Sequence, residues 1–173
     1  MVLDLLRRLF GGGKEITSFE ELRPGKAVLR GTIKAGDEQV RSPLKGLGCV
    51  AYYYKASYKA QARGKWVERV VKDAEVYAPS FGLALEGGTI RVLPPRGVPL
   101  DPQEHRQLQA RGFPGFQATE QLIRPGTLVK LEGSVQRDGE GFVLRLRRID
   151  LVPEAEQQAG PYKRPERRRR KKR

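Results

Sequence analysis

The chain is poor in the residues that carry covalent or metal-based chemistry: its 173 residues include one cysteine, one histidine, one methionine and one tryptophan. A single cysteine, Cys49, excludes an internal disulfide and any zinc site built on cysteine pairs. That usage reads as a reducing compartment, with the cytoplasm as the expectation. Long hydrophobic runs are missing too, since no apolar stretch approaches the roughly 20 residues that cross a bilayer as a helix. Met1 to Phe10 has neither the length nor the cleavage site of a signal peptide. Acids are also scarce, 20 against 34 lysines and arginines, for a net charge of +14. A surface with that balance is drawn to nucleic acid or to an anionic membrane.

Much of the positive charge sits at the C-terminal end. Lys163, Arg164, Arg167, Arg168, Arg169, Arg170, Lys171, Lys172 and Arg173, against Glu166, give +8 of the +14 and leave about +6 for the rest. Such a run has no apolar residue to bury and repels itself, so residues 153–173 read as a polar linker followed by a disordered polybasic tail. The tail seeks counter-charge, with phosphate as the obvious candidate.

At the other end, Val2, Leu5, Leu6 and Leu9 fall on one helical stripe, with Arg7 and Arg8 outside it and Phe10 closing the segment. Gly11 to Gly13 then stops the helix, so residues 1–13 read as a short amphipathic segment on a glycine linker. Two readings stand side by side. The segment is either a marginal helix laid on the body's own surface or frayed in solution, or an interfacial anchor, with leucines and Phe10 at the acyl boundary and arginines at lipid phosphates.

Between these ends, residues 14–152 carry strand chemistry. Lys26 to Ala35 is β-branched and interrupted by glycine, and Cys49 to Ala60 alternates, with Val50, Tyr52, Tyr54, Ala56 and Tyr58 on the face expected to be buried. Tyr53, Lys55, Ser57 and Lys59 then form the face expected to be wet or turned to a partner. Ala62 to Gly64 should turn the chain into a second long strand, Trp66 to Tyr77, and Glu86 to Gly88 should join strands Phe81 to Leu85 and Thr89 to Leu93.

One internal helix is expected over about Pro102 to Arg111. Asp101 caps it, Pro102 takes the first position, Glu104 completes a capping box and Gly112 takes the left-handed C-terminal position. Thr127 to Arg137 and Gly141 to Val152 follow as a hairpin through Asp138-Gly139. The fold class is therefore mainly β: a small, closed or partly open barrel of oligonucleotide-binding character, with one helix before the last two strands. Leu22-Arg23-Pro24-Gly25 leading to Gly31 is echoed by Ile123-Arg124-Pro125-Gly126 leading to Gly133. This reads as one barrel-edge device used twice: a turn into a strand, then a glycine where the sheet curls.

No catalytic constellation, cofactor motif or metal-ligand spacing stands out, so the expectation is a protein that is not an enzyme. His105 lies among Gln103, Glu104, Arg106 and Gln107 and reads as a solvated helix residue; Cys49 reads as a small buried hydrophobe. Asp73, Glu75 and Glu86 read as strand carboxylates paired with neighbours such as Lys72 and Arg91 rather than as an acid–base pair. Gly11-Gly12-Gly13-Lys14 lacks the spacing and the preceding strand of a phosphate loop. The aromatic strand admits a further reading, because Tyr53 shares a face with Lys55 and Lys59, and bases stack on such aromatics while cations track phosphate. Against this, alternating strand tyrosines are more often core residues whose hydroxyls reach the rim.

The segments Val28-Leu29-Arg30-Gly31-Thr32-Ile33, Ser42-Pro43, Cys49-Val50-Ala51-Tyr52-Tyr53, Trp66, Phe81-x-Leu83-x-Leu85 and Ile90-x-Val92, with Gly126, Val129 and Gly133 later, resemble the GIDE domain, also called the beside-a-membrane domain. The resemblance spans roughly residues 24 to 151. It departs from the family pattern at Glu86-Gly87-Gly88, where members commonly carry aspartate and glycine, and it lacks the flanking transmembrane helices and the RING zinc domain of some members. No ligase activity is implied, since a RING needs a set of cysteine and histidine ligands. The resemblance implies a non-catalytic β-rich interaction domain held near a membrane.

The leading expectation is therefore a cytoplasmic GIDE-like module at the inner face of an anionic membrane, contacting it through Leu5, Leu6, Arg7, Arg8, Leu9, Phe10 and the tail, because stable peripheral attachment takes two signals. The alternative is a nucleic-acid-binding barrel using the tail and the face of Tyr53, Lys55 and Lys59. A third is a scaffold for a protein partner.

Overall fold

The computed structural model describes residues 14–97 and 100–153. The amphipathic segment and the polybasic tail lie outside the described residues. The strands are β1 (Glu15–Ile16), β2 (Gly25–Lys34), β3 (Val40–Arg41), β4 (Gly48–Cys49), β5 (Ala51–Ala62), β6 (Lys65–Tyr77), β7 (Phe81–Leu85), β8 (Gly88–Leu93), β9 (Gln117–Ile123), β10 (Leu128–Asp138) and β11 (Gly141–Leu151). The helix α1 spans Pro102–Ala110.

Five strands close a barrel in the order β2-β10-β11-β8-β7, with β7 returning to β2 through Thr32, Ile33 and Lys34. All pairings are antiparallel except β8 with β11. With α1 between β8 and β10, this is the connectivity of an oligonucleotide-binding type of barrel, and closure leaves no open edge between its first and last strands. The period-2 pattern explains why these segments pair this way. Leu29 and Ile33 on β2, Leu83 on β7, Ile90 and Val92 on β8, Val129 and Leu131 on β10 and Leu144 on β11 all point inward and are fully buried.

Two inward positions are empty of side chain because the backbone comes too close. A Cβ on Gly31 would lie 2.3 Å from the carbonyl oxygen of Ala84, and one on Gly133 would lie 2.2 Å from that of Arg145. These are the later glycines of the repeated turn device. At its turns, Gly25 and Gly126 have positive φ, 126° and 90°. β10 and β11 also slip register at Glu132/Gly133, a bulge that tightens the curl.

The long β5–β6 hairpin leaves the barrel between β2 and β7, and β9 joins it to make a separate three-stranded sheet, β6-β5-β9. β9 runs between the expected helix and the last hairpin, where the sequence reading has no strand. Helix and sheet enclose a second core of Cys49, Tyr52, Tyr54, Ala56, Val76, Leu100 and Leu108, flanked by Phe113 and Phe116. Asp101 caps α1 by accepting from the Gln103 amide at 2.9 Å, and Gly112 follows the helix with φ 66°. Glu104, assigned to a capping box from sequence, reaches across instead to Lys72 on β6 at 2.7 Å and ties helix to sheet.

Two details of the hairpins differ from the sequence reading. Ser57, placed on the wet face, is buried, and a bulge opposite Ala56/Ser57 inserts Val71 into β6. The last hairpin turns through Gly139-Glu140, with Asp138 still paired to Gly141.

Candidate functional site

Strand register sets what lies beside Tyr53, Lys55 and Lys59. On β6, Glu75 is opposite Tyr53, Asp73 opposite Lys55 and Glu68 opposite Lys59; on β9, Gln121 and Thr119 flank Tyr53 and Lys55. Partners directly across a sheet share a face, so the expected aromatic and basic surface exists as one face of the sheet. It also carries three carboxylates. Lys55 pairs with Glu68 at 3.4 Å. Hydrogen bonds from Ser57 and then from Lys55 hold the Glu68 carboxyl below its ordinary value. Burial, followed by the neighbouring Asp73 and Glu75, pushes the Tyr53 phenol up.

Tyr53 also lines a cavity of about 270 Å³ where the sheet meets the end of β11, together with Tyr52, Tyr77, Glu75, Ile149 and Asp150. Tyr77 donates to Glu75 at 3.3 Å, and Asp150 accepts from Arg148 at 3.1 Å. Tyr77, Glu75 and Asp150 in this niche therefore already engage protein partners.

Tyr54 and Cys49, expected in the core, are buried, whereas His105, expected in solvent, is half-buried. Tyr54 is fully buried and its hydroxyl meets Nδ1 of His105 at 2.8 Å. His105 is thus half-buried against the sheet, with Phe116 beside it, instead of solvated. Its position three residues before the buried Leu108 puts both on the inner stripe of α1. Cys49 is buried as expected, and desolvation pushes its thiol up to about 11, which keeps it protonated and non-nucleophilic. Lys72 pairs with Glu104 rather than with Asp73 beside it. Among the described residues no three His, Cys, Asp or Glu side chains gather as a metal site, and no helix is long and apolar enough to cross a membrane.

The outside of the barrel is basic. Outward positions of β2 carry Lys26, Arg30 and Lys34, and those of β10 and β11 carry Lys130, Arg145 and Arg147. Lys130 and Arg30 are direct cross-strand partners, a like-charge pairing that Glu15 relieves by lying 2.8 Å from Lys130 and 3.9 Å from Arg30. Glu132 pairs with Arg147 at 3.5 Å.

Sequence reading missed Trp66 as a surface residue. It is 63% exposed, the most exposed large hydrophobic among the described residues, and lies on the same face of β6 as Glu68. Its position just after a turn in a charged stretch was the available signal. Compared with known protein families and with curated proteins, the chain matches none.

Proposed function

We propose that this protein is a non-catalytic interaction module, GIDE-like in sequence, that associates peripherally with an anionic membrane surface. The observation that carries this reading is the basic outer face of the closed barrel, where Lys26, Arg30, Lys34, Lys130, Arg145, Arg147 and Arg148 outnumber Glu15, Glu132 and Asp150. A surface of this sign adds a diffuse attraction of about 1 kcal/mol for each cation that reaches an anionic bilayer. The sequence supplies further elements of the same kind at its two ends: the stripe of Leu5, Leu6, Leu9 and Phe10 with Arg7 and Arg8, and the tail from Lys163 to Arg173. An apolar segment combined with polybasic charge is the pairing that stable peripheral attachment uses.

Liposome flotation tests this reading. Full-length protein should float with vesicles containing anionic lipid and stay down with neutral ones, and deletion of residues 1–13 should weaken recovery. Equal recovery in the soluble fraction under every condition would sink it.

The second reading, binding of single-stranded nucleic acid, is favoured by the barrel's connectivity and by Tyr53, Lys55 and Lys59 on one face. It ranks lower because Glu68, Asp73 and Glu75 share that face and Lys55 already pairs with Glu68. Its signature is binding to a labelled oligonucleotide that weakens steeply with salt and is reduced by Tyr53→Ala. A Tyr53→Ala variant that binds as well as the parent removes this face as the reader.

A further inference from the structure

β9 supports β5 only from Ala51 to Ser57, whereas β6 stays paired with β5 out to Lys65 and Ala62. The loop after α1 props the hairpin a little further, through stacking of Tyr58 on Phe113 at 4.6 Å and the Lys59 amide on the Pro114 carbonyl at 2.8 Å. Beyond that point two strands continue as a ribbon around the Arg63-Gly64 turn, and Lys65 to Val70 are exposed on every residue. A two-stranded ribbon that reaches into solvent ordinarily carries polar residues, because it has no core to cover. This one carries Trp66 at 63%, Val70 at 53% and Val67 at 37% exposure.

The arrangement of these residues narrows what they meet. Trp66 and Val70 lie on one face of the ribbon, and Val67, with Ala60 opposite it, lies on the other. A protein partner docks on one face. Apolar residues on both faces of a narrow ribbon suit a medium that surrounds it. The same stretch holds Lys59, Arg63, Lys65 and Arg69 against Glu68, four cations to one acid, so the medium it complements is anionic. Tryptophan with flanking arginine and lysine is the combination that settles at the headgroup level of a bilayer, the ring in the interface and the cations on lipid phosphates.

We propose that the free end of the β5–β6 hairpin, residues 59–70, is a membrane contact that seats Trp66 in the headgroup region of an anionic bilayer. The proposal rests on the peripheral-membrane reading above and names a contact site within the folded body. It requires no covalent step and no deep insertion, since Arg63 and Lys65 at the turn stay with the phosphates.

Because Trp66 is the chain's one tryptophan, fluorescence of the full-length protein excited at the long-wavelength edge, where its six tyrosines do not absorb, reports on this site alone. On titration with phosphatidylglycerol-containing vesicles its emission should shift to shorter wavelength and lose quenching by aqueous acrylamide, while phosphatidylcholine vesicles should cause neither change. The double variant Arg63→Asn, Lys65→Gln should partition roughly 25-fold more weakly, about fivefold per cation, with an unchanged unfolding temperature. Protein that floats with anionic vesicles while Trp66 emission and acrylamide access stay as in buffer overturns the hairpin contact and leaves the peripheral reading standing. Protein that does not float overturns both. A Trp66 response to a single-stranded oligonucleotide but not to vesicles also overturns the proposal and assigns the hairpin to nucleic acid.

Discussion

The hydroxyl of Tyr54, on the inner face of β5, lies 2.8 Å from Nδ1 of His105 on α1, a partner 51 residues away in sequence. The two rings also meet edge to face, 5.8 Å between centroids. Tyr54 is fully buried, so its hydroxyl has exchanged water for this one neighbour. With the Lys72–Glu104 ion pair, the contact fastens the helix over the three-stranded sheet and completes the second core.

Replacing His105 with alanine strands that hydroxyl. The expected loss is about 1–3 kcal/mol, the cost of an unsatisfied buried polar group, measured as a lowered urea midpoint. Adding Tyr54→Phe to His105→Ala should recover part of the loss, because the orphaned group is then gone. If the double variant is as unstable as the two single losses summed, the pair is not coupled.

The contrast between barrel and sheet shows what was legible in the sequence. Leu29 and Ile33, or Phe81, Leu83 and Leu85, announce their strands because inward residues recur every second position and Pro-Gly or Gly-rich turns bound them. These signals are local. β9 was not legible: Gln-Ala-Thr-Glu-Gln-Leu-Ile has little of its own to bury and is a strand because β5 offers it an edge. His105 was misread for the same reason, since its partner lies on another element. Tyr53, Lys55 and Lys59 were correctly grouped on one face by their spacing, but the carboxylates beside them come from the register of β6, which alternation alone does not specify. Trp66 was legible as a strand residue; the turn and the charged stretch around it pointed to exposure, and the early end of β9, where the sheet stops covering the hairpin, accounts for it.

Alkaline pH should weaken the fold through two desolvated acids, the buried Cys49 and the half-buried Tyr77. Burial raises the Cys49 thiol from 9.0 to about 11, with Glu120 adding to the shift. Burial and the adjacent Glu75 raise the Tyr77 phenol from 10.0 to about 12. Both groups hold their proton more tightly when folded, so their contribution is fully present below the unfolded values and is lost as pH rises through the folded ones. Urea midpoints should therefore hold at pH 8 and fall from about pH 9 upward, and Tyr77→Phe should flatten the upper part of that decline. A midpoint constant from pH 8 to about pH 11 contradicts the assignment.

The loop between β3 and β4 should depend on a single distant carboxylate. Glu120 on β9 accepts from the Leu44 amide at 2.9 Å with one oxygen and from the Lys45 amide at 2.9 Å with the other. Glu120→Gln keeps one acceptor and should retain part of this clasp, while Glu120→Ala removes it at a cost of about 1–3 kcal/mol. The local readout is hydrogen exchange: the Leu44 and Lys45 amides should exchange faster in both variants, and faster in alanine than in glutamine. Unchanged protection of these two amides would show that the loop is held by its own turn, in which Gly46 bonds back to Ser42 at 3.0 Å.

Closure of the barrel should be most sensitive where backbone meets backbone. At Gly31 and Gly133 an added methyl meets a carbonyl oxygen, of Ala84 at 2.3 Å and of Arg145 at 2.2 Å, and neither oxygen can withdraw without disturbing its strand. Gly139 offers the complementary case: its φ is 61° and nothing lies within 4 Å of the new carbon. Its alanine variant faces only backbone strain, about 1–2 kcal/mol, whereas Gly31→Ala and Gly133→Ala face overpacking of about 3 kcal/mol. Gly31 neighbours Thr32, the first residue of the β2–β7 seam, so its variant should also loosen the register there. Faster hydrogen exchange at Thr32 and Ala84, which pair across the seam, in Gly31→Ala, absent from Gly133→Ala, would separate seam opening from general destabilisation. If Gly139→Ala proves the most harmful of the three, turn conformation rather than close approach of strands limits closure.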